Sequence, residues 1–330
     1  MHKVKIAVAG AGIISQQHLK AAKEVEAVKL VAIADVIREK TEKVACDYGI
    51  NAYTDYIEMM EVEKPDGIII ALPHFLHKEA AVEAANRGIN ILLEKPMANI
   101  VEECDEIINA VERNRVKLMI GHIVHFSKPI IKIREIIQSN ELGKLIMITD
   151  TRFNNYFKPE RPRWFLDKKQ AGGGIVINLG AHSIDAIQYT TCCGIKSVLA
   201  KLTYPDEYPG IEGSAQIFLE LENGISAVIN LNGYTSVKRD EKEYHFERGI
   251  LKVTGEGLFI ARKGQKEFEN MNIVRNKQKD MVDQLTEFAA SILSGREPSI
   301  TGQYGKSIIK AIMGVYKSNE TGKKIDLAKL

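Results

Sequence analysis

Glu94-Lys95-Pro96 is the first of two short stretches whose side chains suit proton or charge transfer. It follows the apolar run 91–93, which reads as the end of a buried strand. In an open parallel sheet, ligands bind outside the carboxyl ends of the strands, so Lys95 is expected at the rim of a cofactor site. There an ammonium group can stabilise a developing alkoxide. An isolated Glu-Lys-Pro is more often a solvated loop, and the surrounding sequence must decide between the two.

The second stretch, residues 171–185, contains three consecutive glycines followed by Asn178, His182 and Asp185. In a helix these three polar residues share one face, at i, i+4 and i+7. An imidazole beside an amide and a carboxylate can transfer protons. The same stripe, opposite three isoleucines, is also typical of the solvent side of an amphipathic surface helix. The pattern alone leaves both interpretations open.

A glycine-rich turn near the N-terminus predicts a dinucleotide site. The apolar run 4–9 ends at Gly10, and a helical pattern begins near residue 16. Gly10 permits the turn, and Gly12 lets a pyrophosphate approach the helix N-terminus. The full turn reads Gly10-Ala11-Gly12-Ile13-Ile14-Ser15.

Asp35 ends the next apolar run, twenty residues after the glycine turn. This is the expected place for a carboxylate that accepts hydrogen bonds from the adenosine ribose. A carboxylate repels a 2′-phosphate, so the predicted cofactor is NAD. Arg38 stands three residues later and could pair with such a phosphate, which keeps NADP possible.

Strand and helix patterns alternate over the first third of the chain and predict a Rossmann domain over residues 1–121. A substrate-binding and oligomerisation domain is expected over residues 122–330, with its last helix able to pack back toward the first domain. Its period-2 runs predict a large, open, mostly antiparallel sheet, including a hairpin around Asn223-Gly224. Helices are expected to cover one face of this sheet, which leaves the other for a subunit partner in a homodimer or homotetramer.

Composition narrows the class of protein. The chain has 330 residues, a formal net charge of +2 and 45% hydrophobic residues, which is typical of a globular protein without a nucleic-acid or membrane footprint. No apolar run is long enough to span a bilayer, and no signal peptide is recognisable. The four cysteines lack metal-ligand spacing. We therefore expect no metal site, a cytoplasmic location and buried thiols.

Taken together, these motifs resemble those of the Gfo/Idh/MocA family of nicotinamide oxidoreductases, named for glucose–fructose oxidoreductase and inositol dehydrogenase. The resemblance covers nearly the whole chain. It implies that Lys95 binds the reacting oxygen near the nicotinamide and that His182 acts as the general acid/base. The residues it assigns to the nicotinamide and its ribose are Leu72, Pro73, His77 and Glu94. Arg163 and Trp164 belong to a segment that often closes over the active site in relatives.

Two departures from the family pattern bear on the substrate. Asn178 stands where inositol-dehydrogenase-like members carry an aspartate, and a neutral amide cannot act as counter-ion to an imidazolium. His74 and His125 stand where asparagine and arginine are frequent, so each is either pocket-lining or ordinary packing. Asn178 is expected to orient the substrate hydroxyl or the imidazole, and Asp185 to hold a second hydroxyl.

The predicted function is NAD(P)-dependent oxidation of a secondary hydroxyl of a sugar, cyclitol or sugar derivative, or reduction of the ketone. Two alternatives stay open. One is a dinucleotide- and sugar-sensing regulatory protein without turnover. The other is an enzyme with tightly held NAD that works through a 3-keto sugar.

Overall fold

The computed structural model describes residues 3–330 and divides into two compact units. The first comprises the chain up to Ile123 together with Lys277–Lys306. The second comprises Val124–Asn276 together with Ser307–Leu330. The first unit therefore contains, besides the predicted Rossmann segment, a late stretch of chain.

The first unit is built on a six-stranded sheet in the order β3-β2-β1-β4-β5-β6, and every neighbouring pair is parallel. Strand β4 is buried at each position, as a sheet covered on both faces requires. The order reverses between β1 and β4, which is where doubly wound sheets bind ligands. The Rossmann prediction is confirmed. The strands are β1 Val4–Ala9, β2 Val28–Ala34, β3 Asn51–Tyr53, β4 Gly67–Ile70, β5 Asn90–Leu93 and β6 Leu118–Ile120.

Five helices connect these strands. Helix α1 begins directly after the glycine turn, and a single 3₁₀ turn at His74–Leu76 precedes α4, so His77 starts that helix. They are α1 Ile13–Ala22, α2 Arg38–Tyr48, α3 Tyr56–Glu63, α4 His77–Asn86 and α5 Val101–Asn114.

Three helices lie in the first half of the second unit. Helix α6 packs against α8, and a π-helical turn, Val176–Gly180, runs directly into α8. Such turns widen the helix locally and are frequent at functional sites. The helices are α6 Lys128–Ser139, α7 Lys168–Ala171 and α8 Ala181–Thr191.

A nine-stranded sheet forms the rest of the second unit, in the order β14-β13-β12-β11-β7-β10-β9-β8-β15. Its neighbours are antiparallel except for the parallel pair β7–β10, which confirms the mostly antiparallel prediction. The predicted hairpin around Asn223-Gly224 joins β9 and β10. The strands are β7 Leu145–Asn155, β8 Ile195–Thr203, β9 Ser214–Leu221, β10 Ser226–Asn232, β11 Tyr234–Phe246, β12 Gly249–Thr254, β13 Gly257–Arg262, β14 Glu269–Asn270 and β15 Ile325–Asp326.

The two faces of this sheet differ in burial. Along the β9–β10 hairpin one face is almost fully buried, as the alternation predicts, through Ile217, Leu219, Leu221, Ala227, Ile229 and Leu231. The other face leaves Met147, Leu199 and Phe218 more than two-fifths exposed. By register, Leu199 pairs with Phe218, and Phe218 with Val228, so this exposed face carries a continuous apolar row.

Helix α8 is largely buried, so its interpretation as a surface helix is wrong. Ile184 and Ile187 are inaccessible, and Asp185 on the supposedly wet side is inaccessible as well. Helix α6 packs against this helix.

Two long helices close the chain, α9 Lys277–Ser294 and α10 Gly302–Thr321. Helix α9 belongs to the first unit and packs on α1. There a Cβ at Gly67 of β4 would lie within 3.2 Å of Phe288 and Ile292, so the glycine lets α9 approach the sheet closely.

Three further observations bear on the sequence-based expectations. No helix within residues 3–330 is long and apolar enough to cross a membrane. The same residues contain no cluster of three potential metal ligands. Cys104 is buried, but Cys46 and Cys192 are exposed, so the expectation of buried thiols is wrong for these two.

Candidate functional site

The glycine turn after β1 has the shape that a pyrophosphate requires. Gly10 adopts a φ of +100°, and a Cβ there would collide with the carbonyl oxygen of Ala71. A Cβ at Gly12 would meet no atom within 4 Å, so open space lies at the start of α1. No side chain caps this helix, whose N-terminal dipole favours an anion. These residues fit the phosphates of a dinucleotide.

Asp35 fastens the glycine turn to the end of β2. One of its carboxylate oxygens accepts a hydrogen bond from Ala11 N at 2.8 Å, and the other accepts from Ile37 N at 3.0 Å. Each oxygen has a second lone pair, so the carboxylate can still accept from ribose hydroxyls. The Arg38 guanidinium is 72% exposed and lies 3.4 Å from Glu42. A cavity of about 190 Å³ opens between α2 and β3, lined by Arg38, Thr41, Glu42, Ala52, Tyr53, Thr54 and Glu58.

Apolar side chains are exposed at the same carboxyl edge of the sheet. Ile13 and Val36 are 82% and 86% exposed, and Ile37 and Phe75 are also largely accessible, while Ile14 is half-buried. They follow the ends of β1, β2 and β4. Clustered apolar exposure of this kind marks a surface that a ligand covers, and the edge matches the predicted cofactor site.

Glu94, directly after β5, is held by a histidine that the sequence analysis missed. Its Oε1 lies 2.8 Å from Nε2 of His18, a fully buried residue of α1, and its Oε2 accepts from Lys95 N at 3.2 Å. Burial alone would raise the pKa of Glu94, but the hydrogen bond to His18 and nearby Lys95 lower it below its ordinary value. Glu94 is therefore a buried carboxylate that fixes the backbone of Lys95.

His77 fixes the other side of the same loop. Its Nδ1 lies 2.8 Å from Pro96 O, and its Nε2 lies 2.9 Å from Leu72 O. The ring thus connects the loop after β4 with the loop after β5, where the Lys95–Pro96 bond is cis. Burial lowers the pKa of His77, although both carbonyl oxygens oppose that shift. Both ring nitrogens point at backbone, so His77 shapes the predicted nicotinamide pocket through Leu72 and Pro73. His74 is also buried, with its ring 5.8 Å from that of His77.

In the second unit, two predicted substrate ligands contact each other. His125 Nε2 lies 2.8 Å from Oδ1 of the inaccessible Asp185. The His125 ring also packs on Tyr189, at 4.0 Å between centroids. Asp185 therefore orients His125, a role that the helical spacing of residues 178, 182 and 185 did not predict.

Asn178 lies in the π-helical turn and His182 in the first turn of α8. Asn178 is 9% exposed, and His182 is half-buried. Tyr156, which the sequence analysis also missed, is inaccessible; burial raises its pKa to about 12, while the nearby Arg161 and Asn178 side chains oppose the shift. The Arg161 guanidinium lies 3.9 Å from the centre of the Tyr156 ring. A buried phenol therefore lies near the amide that departs from the family pattern.

Arg163 and Trp164 lie in a 3₁₀ turn, Arg163–Leu166. The Trp164 ring stacks on Phe165 at 3.7 Å between centroids, and Arg163 is exposed. Lys95 is half-buried and belongs to the first unit, whereas His182 belongs to the second. Their joint action on one substrate stays a prediction.

Comparison with protein-family models matches both halves of the chain. Residues 4–122 match an oxidoreductase family with an NAD-binding Rossmann fold, GFO_IDH_MocA. Residues 130–252 match the GFO/IDH/MocA C-terminal domain.

Individual relatives agree with this assignment. The rhizopine catabolism protein MocA of Rhizobium meliloti is 28% identical over 70% of this chain and 72% of its own length. Glucose-6-phosphate 3-dehydrogenase of Bacillus subtilis is 27% identical over 67% of this chain and 65% of its own length. Among solved structures, an aldose-aldose oxidoreductase from Caulobacter crescentus superposes with a TM-score of 0.87 at 22% identity, covering 98% of this chain and 100% of that one.

Proposed function

Because the chain belongs to the Gfo/Idh/MocA family of NAD-binding oxidoreductases, we propose that it oxidises a secondary hydroxyl of a sugar, cyclitol or sugar derivative, and reduces the ketone in reverse. The observation that carries this proposal is the clamped Glu94-Lys95-Pro96 loop. His18 and His77 hold it from two sides at the carboxyl end of β5. Glucose-6-phosphate 3-dehydrogenase, a relative at 27% identity, supports the substrate class by its name.

Bound NAD would supply the hydride acceptor, the nicotinamide ring. The residues of the chain would first position this cofactor. Gly10 allows the tight turn and Gly12 leaves room for the pyrophosphate. Leu72 and Pro73 follow β4, the strand that pairs with β5. Asp35 would accept hydrogen bonds from the ribose hydroxyls and would repel a 2′-phosphate. Arg38, which could otherwise pair with such a phosphate, lies 3.4 Å from the carboxylate of Glu42. We therefore propose NAD as the preferred cofactor over NADP.

Lys95 would bind the substrate oxygen and stabilise the alkoxide as the hydroxyl proton leaves. His182 would take that proton as general base, a role worth about 10²–10⁴-fold in rate. Asn178 would orient either the imidazole or the hydroxyl, with Tyr156 holding the amide. His125, Arg163, Trp164 and Asp185 are proposed to shape the rest of the substrate pocket, with Asp185 acting through His125.

The deciding experiment combines a substrate screen with one substitution. Purified protein is assayed for NAD and NADP reduction with sugars, inositols and sugar phosphates. Lys95→Met is then compared with the wild type on the best substrate, and Lys78→Met, a half-exposed lysine of α4 paired with Glu106, serves as the control. We expect Lys95→Met to lower kcat by about 10²–10³-fold, with NAD binding retained, and the control to match the wild type.

Turnover within a few-fold of the wild type in Lys95→Met would contradict the role assigned to Lys95. Catalysis with NAD that copurifies and survives dialysis, without NADH release, would favour the enzyme that works through a 3-keto sugar. Failure of every substrate would favour the regulatory protein.

We also propose that the exposed face of the nine-stranded sheet joins copies of the chain into a dimer or tetramer. The apolar row through Leu199 and Phe218 supports this, since contiguous apolar surface marks an interface. Phe218→Glu should shift the mass measured by light scattering toward the monomer. An unchanged mass would contradict this interface.

A further inference from the structure

A single buried carboxyl group holds the entrance to the turn that carries Asn178. Glu212 is inaccessible and lies in the loop before β9, 36 residues away from Val176 in sequence. Its Oε1 accepts a hydrogen bond from Val176 N at 2.9 Å, and its backbone oxygen accepts one from Ile175 N at 3.0 Å. Val176 is the first residue of the π-helical turn. Glu212 thus satisfies N–H groups that a helix start leaves without a partner.

Tyr316 of α10 completes this arrangement. Its hydroxyl donates to the same Oε1 of Glu212 at 3.0 Å. Burial raises the pKa of Glu212 above its ordinary value, and burial raises the pKa of Tyr316 as well. The phenol therefore stays protonated and able to donate over the ordinary pH range.

The glycines before the turn are explained by these two residues. A Cβ at Gly173 would collide with the Tyr316 hydroxyl, and a Cβ at Gly174 would collide with the backbone of Glu212. The close backbone approach that three glycines predict is therefore made to the protein's own chain. The space beside Gly173 is filled by Tyr316, and the space beside Gly174 is filled by Glu212.

Stability alone does not account for a carboxyl group at this place. Its second oxygen, Oε2, has no hydrogen-bond partner although it is buried. A buried polar atom in that state is destabilising, and replacing such groups by apolar residues of similar shape is often neutral or stabilising. What a carboxyl group provides here is a fixed acceptor for the first N–H of the turn.

We propose that Glu212 and Tyr316 are positioning residues for the π-helical turn, setting where it begins and hence where Asn178 and His182 lie. This rests on the proposed function for the roles of Asn178 and His182. Neither Glu212 nor Tyr316 touches substrate or cofactor in this proposal; both act through the backbone of Val176.

The test compares Glu212→Ala, Glu212→Gln and Tyr316→Phe with a matched control, Tyr244→Phe. Tyr244 is a fully buried tyrosine of the same unit, whereas Tyr316 is half-buried. The Tyr244 hydroxyl accepts from Thr190 at the far end of α8, away from Val176. We expect Glu212→Ala to lower kcat on the order of 10²-fold, the loss that a misplacement of about 1 Å produces. NAD affinity should stay unchanged, because Gly10, Gly12 and Asp35 belong to the other unit.

Glu212→Gln keeps an acceptor at Oε1 and should recover most of the lost kcat. Tyr316→Phe should show a smaller loss, and Tyr244→Phe should leave kcat unchanged even if its melting temperature falls. A kcat in Glu212→Ala equal to that of the control overturns the proposal. So does a kcat in Glu212→Gln as low as in Glu212→Ala. If Glu212→Ala does not fold, the comparison of Tyr316→Phe with Tyr244→Phe decides.

Hydrogen exchange of the Val176 amide, followed by NMR, separates this proposal from the proposed function because it needs no turnover. The amide should be protected in the wild type and in Tyr244→Phe, and exchange faster in Tyr316→Phe and Glu212→Ala. Unchanged protection overturns the positioning role. A wild type that binds NAD, protects this amide and oxidises no substrate overturns the proposed function instead.

Discussion

A buried glutamate lies behind each of two proposed site residues, Glu94 behind Lys95 and Glu212 behind the turn that carries Asn178. The pKa values of the two carboxyl groups are shifted in opposite directions. Glu94 faces the imidazole of His18, and its pKa lies below the ordinary value. Glu212 faces a phenol and a backbone N–H, and burial leaves its pKa above that value. Glu94 therefore acts as a charged carboxylate, whereas Glu212 is a hydrogen-bond acceptor that ionises less readily.

The difference follows from what each group has to position. Glu94 lies beside an ammonium group, and a carboxylate there lowers the energy of both charges. Glu212 has only to receive the N–H of Val176, for which a hydrogen-bond acceptor suffices. A buried glutamate thus fixes a loop through a histidine in one unit and caps the start of a helix in the other.

The largest effect is expected when the contact between Glu94 and His18 is removed. Glu94→Ala leaves the buried imidazole of His18 without its hydrogen-bond partner, so the free energy of unfolding should fall by about 1.5–3 kcal/mol. Urea denaturation measures this loss. Glu106→Ala in α5 removes an exposed partner of Lys78 and should cost less than about 1 kcal/mol. Equal losses of unfolding free energy in the two variants would mean that the Glu94–His18 contact does not stabilise the fold.

The opposite pKa shifts predict opposite pH dependences. Glu94 contributes stability that is present above its unfolded pKa, near 4.5, and is lost as the pH falls through the lower folded value. For Glu212 the folded pKa is raised, so the stability it contributes is present below 4.5 and is lost as the pH rises.

Urea unfolding of Glu94→Gln and Glu212→Gln between about pH 4 and 8 checks this difference. The stability of the wild type relative to Glu94→Gln should increase with pH, and relative to Glu212→Gln it should decrease. Slopes of the same sign would refute the contrast between the two carboxyl groups.

Asn178→Asp places a charged carboxylate in the second unit, where the wild type has a neutral amide. Asn178→Asp gives the His182 imidazolium a counter-ion, which raises its pKa by about 1 unit or more. His182 acts in its neutral form in the proposed oxidation, so the acidic limb of the kcat/KM profile should move to higher pH. If the acidic limb does not move, either His182 is not the general base or Asn178 does not lie next to it.

The smallest effect is expected at Tyr156. Tyr156→Phe removes a hydroxyl that interacts with Asn178 but leaves the ring under Arg161. The free energy of unfolding should change by no more than about 1 kcal/mol, and kcat should fall less than in Tyr316→Phe. A larger loss of kcat in Tyr156→Phe would make the phenol, and not the cap at Val176, the main support of this turn.

The sequence predicted the first unit better than the second, for a physical reason. Buried parallel strands are short apolar runs ended by glycines or polar residues, so the positions of Gly10, Asp35 and Lys95 follow from local sequence. In contrast, β11 carries five consecutive exposed residues from Ser236 to Asp240, which hides the alternation of a strand. No strand was expected there.

The residues that hold the site were the hardest to predict. His18 does leave a signal, since it shares the buried face of α1 with Leu19 and Ala22, where a polar residue needs a partner. Glu212 leaves none, because a lone glutamate between Ile211 and Gly213 looks like any loop residue. Its partners are 36 and 104 positions away, and no local spacing encodes such contacts.

The return of α9 to the first unit has a consequence for biosynthesis. The ribosome releases all of β1–β6 before it makes the helix whose Phe288 and Ile292 cover β4. Until then, an apolar patch of the nascent sheet faces water, which favours chaperone binding and aggregation. A fragment ending at Ile123 would keep this patch uncovered, so we expect it to be insoluble, whereas a fusion of residues 1–123 to 277–306 through a flexible linker should be recoverable as a folded, NAD-binding module.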